Sequence, residues 1–442
     1  MDVLNNLYIF TPKICANAHF LGIGDMEFKR NVYLQHLISG KGNGLVKIVT
    51  GIRRCGKSYL LFNLFRSHLL QTGVDEEHIF MMALDDWKNR KFRDPDALMN
   101  EIERRIVRDG SKYYILLDEV QLLDHFVEVL LSLMHDTQCD VYVTGSNSRF
   151  LSSDVVTEFR GRGDEIRVFP LSFSEYYEGV QGELRQAWLN YSTWGGLPQV
   201  ALLDDDAKKR RYLSNLYAST YLRDIIERND VKNDEGLRDV VRVLASSIGA
   251  STNPKRIANT FASVEGQHIT NKTIDSYIGY LEDAFLISEA LRYDVKGRKY
   301  IGSETKYFFT DIGLRNSILG FRQQEPMHIM ENIIYNELLM RGYQVDVGLV
   351  ELWNTDNQGK RSRVRLEIDF VLNRDAERIY VQSAYRLPSE EKWEQEQRPF
   401  MRISDNFRKI IIVGDDVKAW TNDQGIRIIG LWDFLLGVEG IE

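Results

Sequence analysis

The stretch "IVTGIRRCGKSYLL", Ile48 to Leu61, sets two glycines and a Lys-Ser pair between two apolar runs. It fits the pattern G-x-x-x-x-G-K-[ST], with Gly51, Gly56, Lys57 and Ser58 at the fixed positions. "LVKIVT" (Leu45 to Thr50) predicts a buried strand, and "SYLLFNLFRSHLL" predicts a helix because its apolar residues recur at helical spacing. A chain that turns on glycines from strand into helix leaves backbone N–H groups aimed at one spot, where the helix N-terminus also favours negative charge. Such a nest suits a polyphosphate. Gly51, Arg54, Cys55, Gly56, Lys57, Ser58 and Tyr59 are therefore the candidate ATP-binding residues, with Lys57 on the β- and γ-phosphates and the Ser58 hydroxyl on Mg²⁺. The competing reading is an ordinary glycine-containing strand-to-helix turn.

A second motif bears on that choice. "YYILLDEVQLL" (Tyr113 to Leu123) runs through apolar positions into Asp118 and Glu119. Two carboxylates ending an apolar strand are costly unless water, metal or partners receive them, so the placement reads as a site. Asp118 is the candidate Mg²⁺-side acid, and Glu119 the candidate base that polarises the water attacking the γ-phosphate. Capping of the next helix by both acids is the bland alternative.

Length and composition bound the rest. A chain of 442 residues exceeds a single hydrophobic core and suggests roughly three domains. At 43% hydrophobic and 27% charged it has an ordinary globular composition. The net charge of −8 argues against a general pull on nucleic acid, so any DNA contact must come from a local basic patch. Cys15, Cys55 and Cys139 are too few and too scattered for a disulfide framework or a metal quartet, which fits a reducing cytoplasm. Cys55 reads as a tolerated small residue, with oxidation sensitivity as the alternative. No run approaches the ~18 apolar residues of a membrane span. Residues 1–25 lack the basic start of a secretory signal and read as an extension upstream of Met26, with a mis-set start codon as the alternative.

"HIFMMALDDW" predicts a further strand, "DPDALMNEIERRIV" and "FVEVLLSLMHDT" predict helices, and "CDVYVTGSNS" predicts another strand. This alternation indicates an α/β fold with a doubly wound parallel sheet. The tip "TGSN" (Thr144 to Asn147) is a candidate γ-phosphate or water sensor, with Asn147 or Ser146 as the sensing residue; plain turn chemistry explains it equally well. In "FRGRGDEIRVFPLSFSEYY", Arg160 and Arg162 are candidates to neutralise transition-state charge in the chain's own site or a neighbour's, with Arg162 preferred over Arg160. Surface solvation is the alternative for both arginines.

The set "GIRRCGKS", "LLDEVQ", "VTGSNS", "FRGRG…VFPLSFSEY" and "GGLPQV" (Gly195 to Val200) resembles a prokaryotic family of AAA-type ATPases fused to a restriction-endonuclease-like C-terminal domain. The resemblance implies a P-loop core over 26–180 and a helical lid over 181–230. In that lid, "GGLP" resembles the Gly-x-Pro element that approaches the nucleotide, which makes Pro198 a candidate contact.

Residues 231–325 look like a winged helix-turn-helix: a helix from Leu237, a second opened by the Asn253-Pro254 pair, a third in "ITNKTIDSYIGYLEDAFLI", then strands "SEALRYD" and "KYFFTD" around a basic turn at Lys296, Arg298 and Lys299. The third helix carries Asp275, Glu282 and Asp283 against Lys272, a poor balance for phosphate contacts, so a packing or coupling module is the expectation here and DNA reading the alternative. Residues 326–442 resemble a nuclease domain with Glu331, Glu367 and Asp369 as carboxylates. Gln382-Ser383-Ala384 stands where Glu-x-Lys is expected, so the domain is expected to be inactive. The expectation is a cytoplasmic Mg²⁺-dependent ATPase, a switch or motor acting on DNA or a nucleoprotein partner, with shared ATP sites in a homo-oligomer left open. The alternatives are a protein-interaction switch and an ATP-gated nuclease.

Overall fold

The computed structural model describes residues 27–107, 109–145, 161–264, 269–302, 304–355 and 361–441. Residues 1–25, Ser146, Asn147 and Arg160, for which the sequence carries expectations, lie outside these.

Five parallel strands, β1 (Val46–Thr50), β2 (Ile79–Ala83), β3 (Tyr113–Asp118), β4 (Cys139–Thr144) and β5 (Gly163–Arg167), stack in the order β2-β3-β4-β1-β5. β1, β3 and β4 are buried along their whole length, as strands of a parallel sheet covered on both faces must be. Alternate residues feed opposite cores. Tyr113, Ile115 and Leu117 join Leu98, Ile102 and Leu130 of helices Pro95–Arg105 and Phe126–His135. Tyr114 and Leu116 face Leu61, Phe65 and Leu69 of the helical run 57–71. Asp94 caps helix Pro95–Arg105 by accepting the Ala97 N–H at 2.9 Å, the arrangement its Asp-Pro start predicts.

After helices Phe173–Val180 and Leu184–Trp194, a helical rod spans 206–229. Helices Asp234–Ser246, Pro254–Val264 and Asn271–Asp283 follow, the second capped by Asn253, whose Oδ1 accepts the Arg256 N–H at 2.8 Å. Then come β6 (Ile287–Ala290), β7 (Arg292–Asp294), β8 (Lys299–Tyr300) and β9 (Lys306–Phe309). The C-terminal part contributes helix Pro326–Met340, the long strands β10 (Gln344–Thr355) and β11 (Arg361–Arg374), β12 (Glu377–Ala384), β13 (Arg408–Val413), β14 (Trp420–Thr421) and β15 (Ile426–Gly430).

The two strands expected around the basic turn are four. β6 pairs with β9, whereas β7 and β8 form a second hairpin that joins an eight-stranded mixed sheet beside β10. The chain bends because Arg292 is buried and finds its partners only there: Ser251 Oγ at 2.6 Å and the Glu304 and Glu367 carboxylates at 3.0 Å each. One sheet thus holds strands from both sides of the boundary expected at 325. A single apolar cluster also runs from Phe28 through Leu197, Leu237, Phe309 and Ile333 to Phe434, so the segments pack on one another rather than hang on linkers.

Candidate nucleotide site

The first loop after β1 is shaped by residues with positive φ. Gly51 (φ 134°) and Gly56 (φ 102°) take conformations that favour glycine, and a Cβ on Gly51 would overlap the Val168 carbonyl oxygen. Arg54 also lies at positive φ and is exposed. Cys55 is buried, its thiol donating to the Val168 carbonyl at 3.4 Å, so packing explains its small size. The helical run starting at Lys57 aims its first N–H groups into this loop.

Lys57 folds back across the loop, donating to the carbonyls of Gly51 (2.9 Å) and Ile52 (3.2 Å). Ser58 Oγ donates to Asp118 Oδ1 at 2.9 Å, which brings together the two residues expected at the metal. Thr144, at the end of β4, donates its hydroxyl to the same Asp118 oxygen and accepts the Glu119 N–H at 3.0 Å. Burial, and next the charge of Glu119, push the Asp118 carboxyl up to about 6 against the pull of these two hydroxyls. Glu119 sits in the left-handed region (φ 53°), and Gln121 donates to its carboxylate. The donor set suits a triphosphate with a hard cation: one ammonium, one hydroxyl and one carboxylate at the carboxyl edge of the sheet.

Tyr59 points elsewhere, donating to Glu27 at 2.9 Å, and burial pushes its hydroxyl up to about 12. Pro198 stands against Gly56: a Cβ on that glycine would meet Pro198 Cγ at 3.8 Å. Arg162 is exposed at the opposite end of the sheet, where its carbonyl accepts the Val46 N–H at 3.0 Å. About five residues of strand, on the order of 16 Å at roughly 3.3 Å each, separate it from its own phosphate loop.

Sequence reasoning missed several residues at this site. Asp85 follows β2, whose Ala83 pairs with Asp118, and burial and then the Glu119 charge raise its carboxyl. The polar pair ending the apolar run "FMMALDD" carried the same signal as Asp118-Glu119. Arg53 pairs with Asp224 at 2.9 Å and its carbonyl accepts the Tyr221 hydroxyl, which ties the loop to the rod 206–229. Asp311, at the end of β9, is fully buried and accepts the N–H groups of Gly196 (2.8 Å) and Leu314 (2.9 Å). A side chain on Gly195 would overlap that carboxylate.

In the C-terminal part, Lys306 of β9 meets Glu331 at 2.8 Å and Glu367 at 2.7 Å. The Asp369 carboxylate accepts the Ser383 N–H (2.7 Å) and hydroxyl (2.8 Å). Burial, and next the charge of Glu331, push Asp369 up to about 7. Gln382 instead donates to Glu396 at 3.1 Å, and Ala384 packs with Tyr380 and Ile411 in a separate core. Gln382 also accepts the Asp369 N–H at 3.3 Å, Ala384 lies apart from Glu331 and Glu367, and the nearby cation comes from a strand 78 residues upstream of Ala384.

An AAA-domain family model matches residues 43–177, and a model for a domain of unknown function matches residues 185–325. An uncharacterized protein of Haemophilus influenzae is 34% identical over 412 residues, covering 92% of this chain and 98% of its own. The chain belongs to the AAA-type P-loop ATPase family. An uncharacterized protein of Methanocaldococcus jannaschii is 24% identical to this family member over 417 residues, covering 88% of each chain. A solved Walker-type ATPase of Pyrococcus abyssi shares the AAA fold with a TM-score of 0.50 at 14% identity, covering 66% of this chain and 96% of its own. Among the described residues, no helix is long and apolar enough to cross a membrane.

Proposed function

We propose that the protein is an Mg²⁺-dependent ATP hydrolase that works as a switch or motor on nucleic acid or a nucleoprotein partner. The observation that carries the hydrolase reading is the convergence of Lys57, Ser58, Asp118 and Glu119 at one edge of the parallel sheet. Lys57 exchanges the loop carbonyls for the β- and γ-phosphates, and the N–H groups at the start of 57–71 receive phosphate oxygens. Ser58 and Asp118 would hold Mg²⁺, which when bound neutralises charge on the phosphates. Glu119, held by Gln121 and by its own N–H on Thr144, orients the attacking water and accepts its proton. Arg162, too far from its own loop, serves the site of a neighbouring copy.

Release of the γ-phosphate loosens the loop, and two contacts carry that change outward. One is Arg53 with Asp224 and Tyr221; the other is Pro198, whose segment Asp311 ties to β9. The winged helix-turn-helix reading of 231–325 is supported by three helices followed by the β6–β9 pair and the Thr252–Thr305 bridge. We read the C-terminal part as nuclease-like but unable to cut, because Gln382 and Ala384 stand where a ligating carboxylate and a lysine are needed, and Glu331 and Glu367 are already paired with the Lys306 ammonium. Phosphate release from ATP by the purified chain, beside Lys57→Ala, tests the hydrolase reading. Turnover is expected to vanish in the variant with the melting temperature of the free protein unchanged, and equal turnover in both would refute it.

A further inference from the structure

Two hairpins far apart in sequence meet at one end of the C-terminal sheet. β7 runs parallel to β10, with Asp294 level with Leu349, and the Val295 N–H donates to the Leu349 carbonyl at 3.0 Å. The β7–β8 turn therefore extends in the direction in which β10 continues toward Trp353. That turn exposes Lys296, Arg298, Lys299 and Tyr300. On the neighbouring β10–β11 ribbon, Trp353 lies directly opposite Arg363 and Glu351 opposite Arg365, and Arg361 follows at the alternate position on the same strand face.

Six cations thus gather around the exposed indole of Trp353, at 69%, on a chain whose net charge is −8, while Tyr300 turns to the other sheet face, packing on Tyr293 and donating to Asp346 at 3.1 Å. Among the described residues, the carboxylates nearest by register are Glu351, shared by Arg363 and Arg365, Asp294, engaged by the N–H groups of Lys296 and Gly297, and Glu367, paired with Arg292 and Lys306. Helix Asn271–Asp283, the third helix of the winged helix-turn-helix reading, carries Asp275, Glu282 and Asp283 against Lys272 and offers no comparable basic surface.

We infer that this end of the sheet binds single-stranded nucleic acid. The inference rests on the nucleic-acid part of the proposed function and supplies its surface. Arginines and lysines on two adjacent hairpins follow a phosphate backbone, while an exposed indole on a flat ribbon offers its face to a base. Paired bases in a duplex have their faces stacked on one another, so Trp353 selects unpaired segments.

Anisotropy of a fluorescein-labelled 20-mer oligothymidylate, titrated with the full chain across a range of salt, reads the binding directly. Wild type is expected to bind it more tightly than a 20-bp duplex. The triple change Arg361→Gln, Arg363→Gln, Arg365→Gln should weaken binding at least tenfold and flatten the log–log salt slope by about two, at roughly 0.7 per lost phosphate contact. Trp353→Ala should weaken binding about tenfold with the slope unchanged, and Trp353→Phe should recover part of it. Lys296→Gln with Lys299→Gln supplies an independent variant on the other hairpin and should flatten the slope by about one. Absence of oligothymidylate binding by wild type, variants that bind as wild type does, or tighter binding of the duplex would each overturn the inference. ATP turnover without nucleic acid should be equal in all these proteins. Its absence from wild type would refute the hydrolase reading and leave the anisotropy result standing.

Discussion

Asp311 accepts the backbone N–H of Gly196 at 2.8 Å across 115 residues of sequence, so the strand that carries Lys306 at one end holds the segment flanking the phosphate loop at the other. Helix Pro326–Met340 grips that strand between them. Asn332 Nδ2 donates to the Phe309 carbonyl at 2.7 Å while its Oδ1 accepts the Phe309 N–H at 2.8 Å, and Asn336 donates to the carbonyls of Phe309 and Thr310. On the proposed function, this link carries a shift at Pro198 along β9 to Lys306 and its partners Glu331 and Glu367.

The Asp311 carboxyl gives this link a pH signature. Burial pushes it up to about 6 from an ordinary 3.8, against several backbone N–H groups. The native state therefore holds the proton more tightly than the unfolded chain. The contribution to stability is full below about 4, is lost as pH rises through about 6, and is constant above. Chemical denaturation at several pH values should show wild type losing stability over this window relative to Asp311→Asn. Parallel profiles for the two proteins would mean that Asp311 does not titrate there.

Glu119→Gln should keep ATP bound and lower turnover by at least ~10², because the amide retains the shape and loses the base. A nucleotide-binding titration beside a phosphate-release assay separates the two effects. Turnover at the parental rate would place the base elsewhere, with Asp85 the next carboxylate to change.

Arg162→Ala should lower turnover far more than ATP affinity if the guanidinium acts only in the transition state. Since the residue cannot reach its own loop, mixing Arg162→Ala with Glu119→Gln protein should restore activity through sites built from one intact half of each. Mixtures no more active than the sum of their parts would rule out a shared site.

Lys306→Ala should destabilise the chain by about 3–5 kcal/mol, the cost of leaving buried carboxylates without their cation. Pairing Lys306→Met with Glu331→Leu should recover much of that loss, because the two charges leave together. Urea melts of the single and double variants check this, and equal losses in both would mean that packing rather than charge is at stake.

The candidate nucleotide site was legible as a cluster because its residues are local in sequence. Gly51 to Ser58 lie within one strand-to-helix turn, and Asp118 and Glu119 end one apolar run, so spacing and alternation expose them without knowledge of the fold. The parallel core was legible for the same reason: its strands are buried on both faces, and their apolar runs separate cleanly from amphipathic helices. Elsewhere the partners lie far apart in the chain. Lys306 reaches Glu331 and Glu367, Asp311 reaches Gly196, and the turn at Lys296 reaches the ribbon of Trp353 only because Arg292 is drawn to its carboxylates and splits one expected hairpin into two. Those meetings satisfy buried charges that would be costly in isolation, and a charge carries no periodic mark of which distant residue will answer it.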